Sequence, residues 1–226
     1  ASDVYKRQVM MDYQGDGLWK YTMELPASAK KFHYEYLVKS GEGIRREWGS
    51  PHSFSPGRNA GKYRLVDRCR DVPANLPFYS SAFIQGIFFR QHADSVVETI
   101  EQGTFTVKVD APQLRPDERL VMVGDCPELG DWDVLKAPLL NDSAFPEWQI
   151  TLDGRQLKFP FEYKFVIVRT HQREVVAWET GENRICREKP QNPSEAVVVS
   201  GLRFNGSESQ WRGAGTAIPV FSLRTA

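Results

Sequence analysis

Two tryptophans stand where the surrounding residues predict a turn or a loop rather than a buried strand. Trp132 lies among glycines and aspartates, and Trp178 precedes a polar loop that contains a glycine. A lysine, Lys164, and an asparagine, Asn183, complete a set of side chains with useful chemistry. An exposed indole can stack on the apolar face of a glucose ring, while amide and ammonium groups donate hydrogen bonds to its hydroxyls. This combination suits a shallow, preformed sugar site.

Three other interpretations of this region stay open at the level of sequence. A tryptophan in a β-sandwich is more often a core residue than a ligand-binding one. Acidic side chains near Trp132 could bind Ca²⁺, but their spacing lacks the EF-hand pattern and favours a solvated turn. They are Asp125, Glu128, Asp131 and Asp133. Glu162 and Glu179 could form a glycosidase carboxylate pair, but nothing in the sequence sets their separation. We therefore expect neither a metal nor a cofactor.

Composition excludes several classes of partner. The 226 residues include 29 basic and 29 acidic side chains, so the net charge is +0. Nucleic acids and anionic membranes attract a basic surface, so neither is an expected partner. No apolar run approaches the roughly 18 residues of a membrane-spanning helix. The three cysteines are widely spaced and form neither a disulfide framework nor a zinc motif, which predicts a reducing, cytoplasmic location.

Two segments of the chain resemble each other at a spacing of 129 residues. Trp19 and Trp148 begin similar segments, and a tyrosine follows each of them after 15 residues. A further tryptophan, Trp48 or Trp178, follows 14 or 15 residues later. The spacing predicts two copies of one module, of which the first is truncated at its N-terminal side.

The periodicity within each copy is that of β-strands. In Phe159–Ile167 the large apolar residues fall on odd positions, so Glu162 and Lys164 point to the opposite face. Phe32–Lys39 alternates in the same way. Other predicted strands are Thr104–Val109, Arg119–Val123, Trp148–Leu152, Arg173–Trp178 and Ala196–Ser200. Only Pro127–Leu129 and Asp94–Ile100 have helical character. Short strands separated by turns predict an all-β antiparallel sandwich.

Four motifs make this pattern specific. The segments VGDCPELGDW, FPEW, FEYKF and WETGENR occur in this order between Gly103 and Phe204. Together they resemble the starch-binding modules known as family 20 carbohydrate-binding modules. The resemblance implies immunoglobulin-like antiparallel β-sandwiches of about 100 residues, the first truncated here and the second complete. It also implies binding of α-1,4-glucans such as starch, glycogen, maltodextrin and cyclodextrins.

The resemblance carries over to individual positions. It implies a first carbohydrate site made of Trp132, Lys164, Trp178, Glu179 and Asn183. It implies a possible second site with Trp148 and, by a looser match, Phe145, although Val121 stands where the family has a tyrosine. In the first copy Glu35 stands at the position of Lys164, and Trp48 is matched with Trp178.

The arrangement of the whole chain resembles one enzyme family in particular. Tandem modules followed by a segment such as Trp211–Arg224 are similar to 4-α-glucanotransferases (amylomaltases) of the disproportionating-enzyme-2 type. There the tandem precedes a catalytic barrel of glycoside hydrolase family 77, which transfers α-1,4-glucan segments to glucan or glucose with retention of configuration. The resemblance implies that this chain binds α-glucan and adjoins that catalytic domain. The resemblance also implies that this chain contains no catalytic residue.

The predicted organisation has five parts. Residues 1–8 include Asp3–Gln8, which look like a translated sequencing adapter. The remaining parts are a first module at 9–68, a linker and packing segment at 69–102, a second module at 103–205, and a linker with the start of the barrel at 206–226. The unusually apolar Phe78–Arg90 favours an alternative in which the sandwiches serve as a non-catalytic docking module.

Overall fold

The computed structural model describes residues 7–25, 30–41, 43–49, 51–57, 61–70, 99–206 and 218–225. The chain divides into two compact units. The first contains residues 1–56, 69–99 and 209–226, and the second contains residues 57–68 and 100–208. Phe78–Arg90 and most of Asp94–Ile100 lie outside the described residues.

The second unit is a β-sandwich, as the sequence predicts. One sheet has the order β10-β11-β8-β15-β7 and the other has the order β13-β12-β14, with β9 also paired to β12. The strands are β7 (Tyr63–Asp67), β8 (Thr104–Asp110), β9 (Glu118–Gly124), β10 (Asn141–Ala144), β11 (Glu147–Asp153), β12 (Phe161–Arg169), β13 (Val175–Trp178), β14 (Arg184–Cys186) and β15 (Ala196–Arg203). Pairing is antiparallel except where β15 meets β7 and β8, which it joins in parallel.

The alternation of side chains explains why these two sheets pack together. Every second residue of β12 from Phe161 to Ile167 is apolar and buried, and so is every second residue of β8 from Phe105 to Val109. Phe105 and Val107 from one sheet share a single core with Phe161 and Phe165 from the other. Burying such side chains contributes about 1.5–3 kcal/mol each relative to exposure, so period-two patterning decides which face of each sheet turns inward.

The strands that sequence periodicity predicts in this unit are confirmed to within three residues at each end. The helical character of Pro127–Leu129 is also confirmed, as a single 3-10 turn. The prediction omitted β7, β10 and β14, which are only three to five residues long. Such short segments hold too few residues for an alternating pattern to stand out.

The first unit is built around one sheet of the order β1-β16-β4-β5, with β6 also paired to β4. Its strands are β1 (Arg7–Met10), β2 (Asp12–Gly15), β3 (Leu18–Lys20), β4 (Phe32–Ser40), β5 (Gly43–Arg46), β6 (His52–Phe54) and β16 (Ile218–Thr225). Strands β2 and β3 form a separate hairpin. On β4 the side chains of Phe32, Tyr34 and Leu37 are buried.

Two features of this division differ from the boundaries expected from sequence. Residues 57–68 were expected in the first module, but β7 pairs along its whole length with β15 of the second unit. Residues 206–226 were expected to be a linker with the start of another domain, but Ile218–Thr225 pairs with β4 of the first unit. Backbone pairing between distant segments decides both assignments, and it leaves no local signal in the sequence.

The cysteines of the second unit are buried, and the acidic residues near Trp132 were one candidate for a metal site. Cys126 and Cys186 are free and lie in the core of the second unit, where burial raises the pKa of each thiol to about 11. Within the described ranges, no group of three His, Cys, Asp or Glu side chains is placed to hold a metal ion. The same ranges contain no helix that is long and apolar enough to cross a membrane.

Candidate functional site

Strand β12 gives the second unit an outer face as well as a core. Phe165 and its odd-numbered neighbours point inward, so Lys164 and Val166 point outward. Val166 lies directly opposite Trp178 on β13 and opposite Val121 on β9. Directly opposed residues of antiparallel strands share a face. Trp178 is therefore on the outer face, where its side chain is 43% exposed.

Trp132 reaches the same face from a tight turn. Gly130, Asp131 and Trp132 have φ angles of 83°, 50° and 64°, all in the left-handed region. The turn is held because Trp132 N–H donates to Gly124 O at 2.7 Å. A bulky residue in this conformation costs about 1–3 kcal/mol, and such strain is concentrated at functional sites. The half-buried indole packs on a small outer-face cluster made of Val121, Val123, Ala137, Val166 and Val168.

The two indoles therefore share one surface. Trp132 packs against the cluster that contains Val121 and Val166, and these two valines lie in register with Trp178. The structure thus brings together, from a turn and an edge strand, the two tryptophans that the sequence singled out. Apolar residues lie beneath Trp132, which is half-buried, and Trp178 is exposed to solvent.

Lys164 connects this face to the loop after Trp178. Its Nζ donates to Gly181 O at 2.6 Å and to Glu179 O at 3.3 Å. An ammonium group has three protons, so these two bonds leave one for another acceptor. Lys164 therefore holds the loop in place, and one proton of its ammonium group stays available for a further hydrogen bond at the edge of the loop.

Glu179 has a different place from the one expected. Its side chain is 1% exposed and forms a fork with Arg184, whose closest contact is 2.8 Å between Nη2 and Oε2. Oε1 also accepts the backbone N–H of Phe165 at 2.9 Å. The carboxylate is thus directed inward and its lone pairs are used within the protein. The carboxylate is therefore placed to fix the start of the loop that follows Trp178, and a role of Glu179 as a sugar ligand stays a prediction.

Asn183 lies on the exposed part of the loop. Its Nδ2 donates to Oε2 of Glu162 at 2.9 Å, and Glu162 N–H donates to Oδ1 of Asp125 at 2.9 Å. Glu162 and Asp125 thus orient the amide, a role that the sequence argument missed. The available signal was the period-two position of Glu162, which puts it on the same face as Lys164.

The possible second site does not take the expected form. Trp148 is 2% exposed and belongs to the core between the sheets. Its indole nitrogen is buried without a hydrogen-bond partner among the described residues. A ring enclosed in this way cannot stack on a ligand, which corrects the assignment of Trp148 to a surface site. Phe145 is half-buried in the turn between β10 and β11.

The first unit repeats the backbone arrangement around Glu179. Glu47 N–H donates to Tyr36 O at 3.0 Å, and Tyr36 N–H donates to Oε1 of Glu47 at 3.0 Å. Glu179 and Phe165 exchange the same two hydrogen bonds, at 3.0 and 2.9 Å. Glu47 is accordingly the counterpart of Glu179.

This equivalence changes the match of the preceding residue. Leu37 lies opposite Arg46 in the first unit, as Val166 lies opposite Trp178 in the second. Arg46, rather than Trp48, is therefore the counterpart of Trp178, and the earlier match was wrong by two residues. Arg46 Nη1 forms an ion pair with Oε1 of Glu35 at 2.9 Å. The first unit thus carries an ion pair where the second carries an indole and a lysine.

Comparison with known proteins finds a family model that matches part of the second unit. The CBM_20 family, described as a starch binding domain, matches residues 102–198. The 4-alpha-glucanotransferase DPE2 of Oryza sativa subsp. japonica is 34% identical over 204 residues, which are 84% of this chain and 20% of that protein. The chain therefore spans a fifth of the length of that relative.

Solved structures are also similar to part of the chain. The family 20 CBM of a maltotetraose-forming amylase from Pseudomonas saccharophila STB07 is 19% identical, with a TM-score of 0.35, over 43% of this chain and 99% of that one. The glycoside hydrolase family 15 glucoamylase of Hypocrea jecorina is 18% identical, with a TM-score of 0.36, over 47% of this chain and 18% of that one. Residues 102–198 are thus the part of the chain that is similar to the CBM_20 family of starch binding domains.

Proposed function

We propose that the second unit binds α-1,4-glucan on its outer face, through Trp132 and Trp178. The observation that carries the proposal is the presence of both indoles on one face: Trp132 packs on the cluster that contains Val166, and Trp178 lies opposite Val166 on the next strand. Aromatic rings that are held in place by the fold bind with little loss of conformational entropy. The CBM_20 match to residues 102–198 supports starch or a related α-glucan as the ligand.

The polar residues around the indoles supply hydrogen bonds. Lys164 has one proton beyond its two bonds to the loop, and Asn183 is exposed with its amide oriented by Glu162. Sugar hydroxyls can accept from the first and exchange hydrogen bonds with the second. Glu179 contributes indirectly, by fixing the loop that follows Trp178, because its carboxylate is paired with Arg184.

We also propose that the two units are copies of one module and that only the second binds glucan at this position. The recurring exchange of hydrogen bonds at Glu47 and Glu179 supports duplication. In the first copy Arg46 and Glu35 pair with each other, and neither offers a ring for a sugar to stack on. Binding at this face should therefore have a stoichiometry near one ligand per chain.

The similarity to the rice 4-alpha-glucanotransferase supports a proposal for the whole protein. We propose that this chain is the non-catalytic, glucan-binding part of such an enzyme, next to a catalytic domain of glycoside hydrolase family 77. Its role there is to hold the polymer near the catalytic domain, which raises the effective concentration of substrate. The free, buried thiols Cys126 and Cys186 support a reducing compartment, the cytoplasm.

The test is calorimetric titration of the chain with β-cyclodextrin, beside Trp178→Ala and Trp132→Ala. Each variant loses one of two aromatic contacts, and we expect each to lose about 2 kcal/mol of binding, or roughly 30-fold in Kd. Val176→Ala is the matched control, because Val176 is on the same strand and is likewise 43% exposed. We expect its Kd to equal that of the unchanged chain.

Two outcomes would overturn the proposal. One is unchanged affinity in both tryptophan variants, which would remove the site assignment. The other is the absence of saturable binding by folded protein, which would favour a docking role instead.

A further inference from the structure

The turn between β12 and β13 contains an arginine that crosses to the loop bearing Trp132. Arg173 Nη1 donates to Ala137 O at 2.7 Å, across 36 residues of sequence. The arginine has a left-handed φ of 52°, and its backbone N–H donates to Arg169 O at 2.9 Å. The tight turn thus aims the side chain of Arg173 back over the outer face of the sheet.

Ala137 is part of the support for Trp132. It is 1% exposed and lies in the outer-face cluster on which the indole packs. Its own N–H donates to Asp133 O at 3.0 Å, so it closes the turn that follows the indole. A displacement of Ala137 would therefore also shift Trp132.

The backbone hydrogen bonds that hold the two indoles involve different strands. The Trp132 loop is tied by backbone hydrogen bonds to β9: Met122 N–H donates to Pro138 O, and Leu140 N–H donates to Leu120 O. Trp178 belongs to β13, which pairs with the opposite side of β12. The bond from Arg173 links the β12–β13 hairpin to the Trp132 loop without passing through β9.

We infer that Arg173 is a positioning residue that holds the two indoles in the relative placement needed for one glucan chain to contact both. The inference rests on the proposed function. Its physical basis is the strength of a hydrogen bond donated by a charged guanidinium in a half-buried position. A ligand that spans both rings gains from this preorganisation, whereas a ligand that touches one ring does not.

The experiment compares Arg173→Met and Arg173→Lys with the control Arg169→Met. Methionine keeps an unbranched stem but removes the donors, and lysine keeps the charge and one donor direction. Arg169 belongs to the same hairpin, but its ion pair with Glu174 is exposed. Each protein is titrated with β-cyclodextrin, which has several glucose units, and with maltose, which has two.

We expect Arg173→Met to weaken β-cyclodextrin binding about five- to tenfold, the scale of the net contribution of one intramolecular hydrogen bond. Maltose binding should stay within about twofold of the unchanged chain. Arg173→Lys should recover part of the loss, and Arg169→Met should behave like the unchanged chain. Equal losses for both sugars, or no loss for either, in folded protein would overturn the inference.

Hydrogen exchange of the Trp132 loop separates this inference from the proposed function. If the unchanged chain does not bind β-cyclodextrin, the proposed function fails, but the effect of the Arg173–Ala137 hydrogen bond on the Trp132 loop can still be measured. Faster exchange at Lys136, Ala137 and Leu140 in Arg173→Met, with Arg169→Met unchanged, supports the positioning role. Identical exchange in both variants overturns it.

Discussion

The buried pair of Glu179 and Arg184 offers a direct test of how the Trp178 loop is held. We consider Glu179→Gln, which preserves the shape of the side chain and an oxygen that can accept the Phe165 N–H. The change removes the negative charge opposite Arg184. The guanidinium then keeps its hydrogen bond to Arg203 O at 2.7 Å and its position over the Phe165 ring, but loses its counter-ion.

The expected magnitude follows from burial. The side chains of Glu179 and Arg184 are 1% and 9% exposed. Breaking one partner of such a pair costs about 3–5 kcal/mol, because the remaining charge stays buried. Glutamine can still accept the backbone hydrogen bond, so we expect the lower end, about 3 kcal/mol in the free energy of unfolding of the second unit.

Glu174→Gln is the matched control for this change. Glu174 pairs with Arg169 at 2.8 Å, the same distance as Glu179 and Arg184, but the two side chains are 56% and 49% exposed. Exposed pairs contribute about 0–1 kcal/mol, since water screens the charges in both states. The two substitutions therefore share the residue types and the closest N–O distance, and they differ in burial and in the hydrogen bond that Glu179 accepts from the Phe165 N–H.

The assay is hydrogen exchange of second-unit peptides at increasing urea concentration. A single global free energy is not defined for a chain with two units, so peptide-level data are needed. The affinity for β-cyclodextrin is measured in parallel on folded protein, and we expect it to fall less than about tenfold. If Glu179→Gln unfolds like Glu174→Gln, the buried-pair argument is refuted. If stability is kept while affinity falls further, the carboxylate is a ligand after all.

Two further predictions concern other buried side chains. Trp148→Ala should destabilise the second unit by about 3–5 kcal/mol, because it opens a large cavity in the core. Its affinity for β-cyclodextrin, measured below the melting temperature, should not change; a stable variant without binding would contradict the core assignment. For Glu47 in the first unit, burial alone would raise the carboxyl pKa, but the hydrogen bond and charge of His52, together with Arg70 and the Tyr36 N–H, lower it. The stabilisation by Glu47 is therefore present at neutral pH and is lost as pH falls below about 4. The protection factors of first-unit peptides, which correct for the intrinsic pH dependence of exchange, should fall there in the unchanged chain and less in Glu47→Gln.

Much of the second unit could be predicted because its signals are local. Alternation along Phe161–Arg169 places Lys164 outside and Phe165 inside whatever the rest of the chain does. The glycine-rich turn around Trp132 likewise indicates that this tryptophan lies outside the strands. These features depend on neighbours within a few residues, so the linear sequence contains them.

The assignments that changed depend on residues far apart in the sequence. Trp148 follows the turn residues Phe145 and Pro146, but the other sheet covers its ring and makes it a core residue. Trp48 fits a repeat of tryptophans, yet the pairing of Arg46 with Leu37 shifts the match by two positions. A match based on a sequence repeat depends on the number of residues between two positions. Strand register depends instead on which residues pair through backbone hydrogen bonds.

The roles of the charged residues also needed the fold. Glu179 follows Trp178 in a motif that resembles a binding loop, and only the approach of Arg184 and the Phe165 N–H shows that its carboxylate turns inward. Arg173 has no pattern around it that indicates Ala137 as its partner. Local periodicity thus sets which side chains leave the core. Tertiary packing decides which of those are free to meet a ligand, because a charged group is satisfied by whichever partner the folded chain brings within hydrogen-bonding distance.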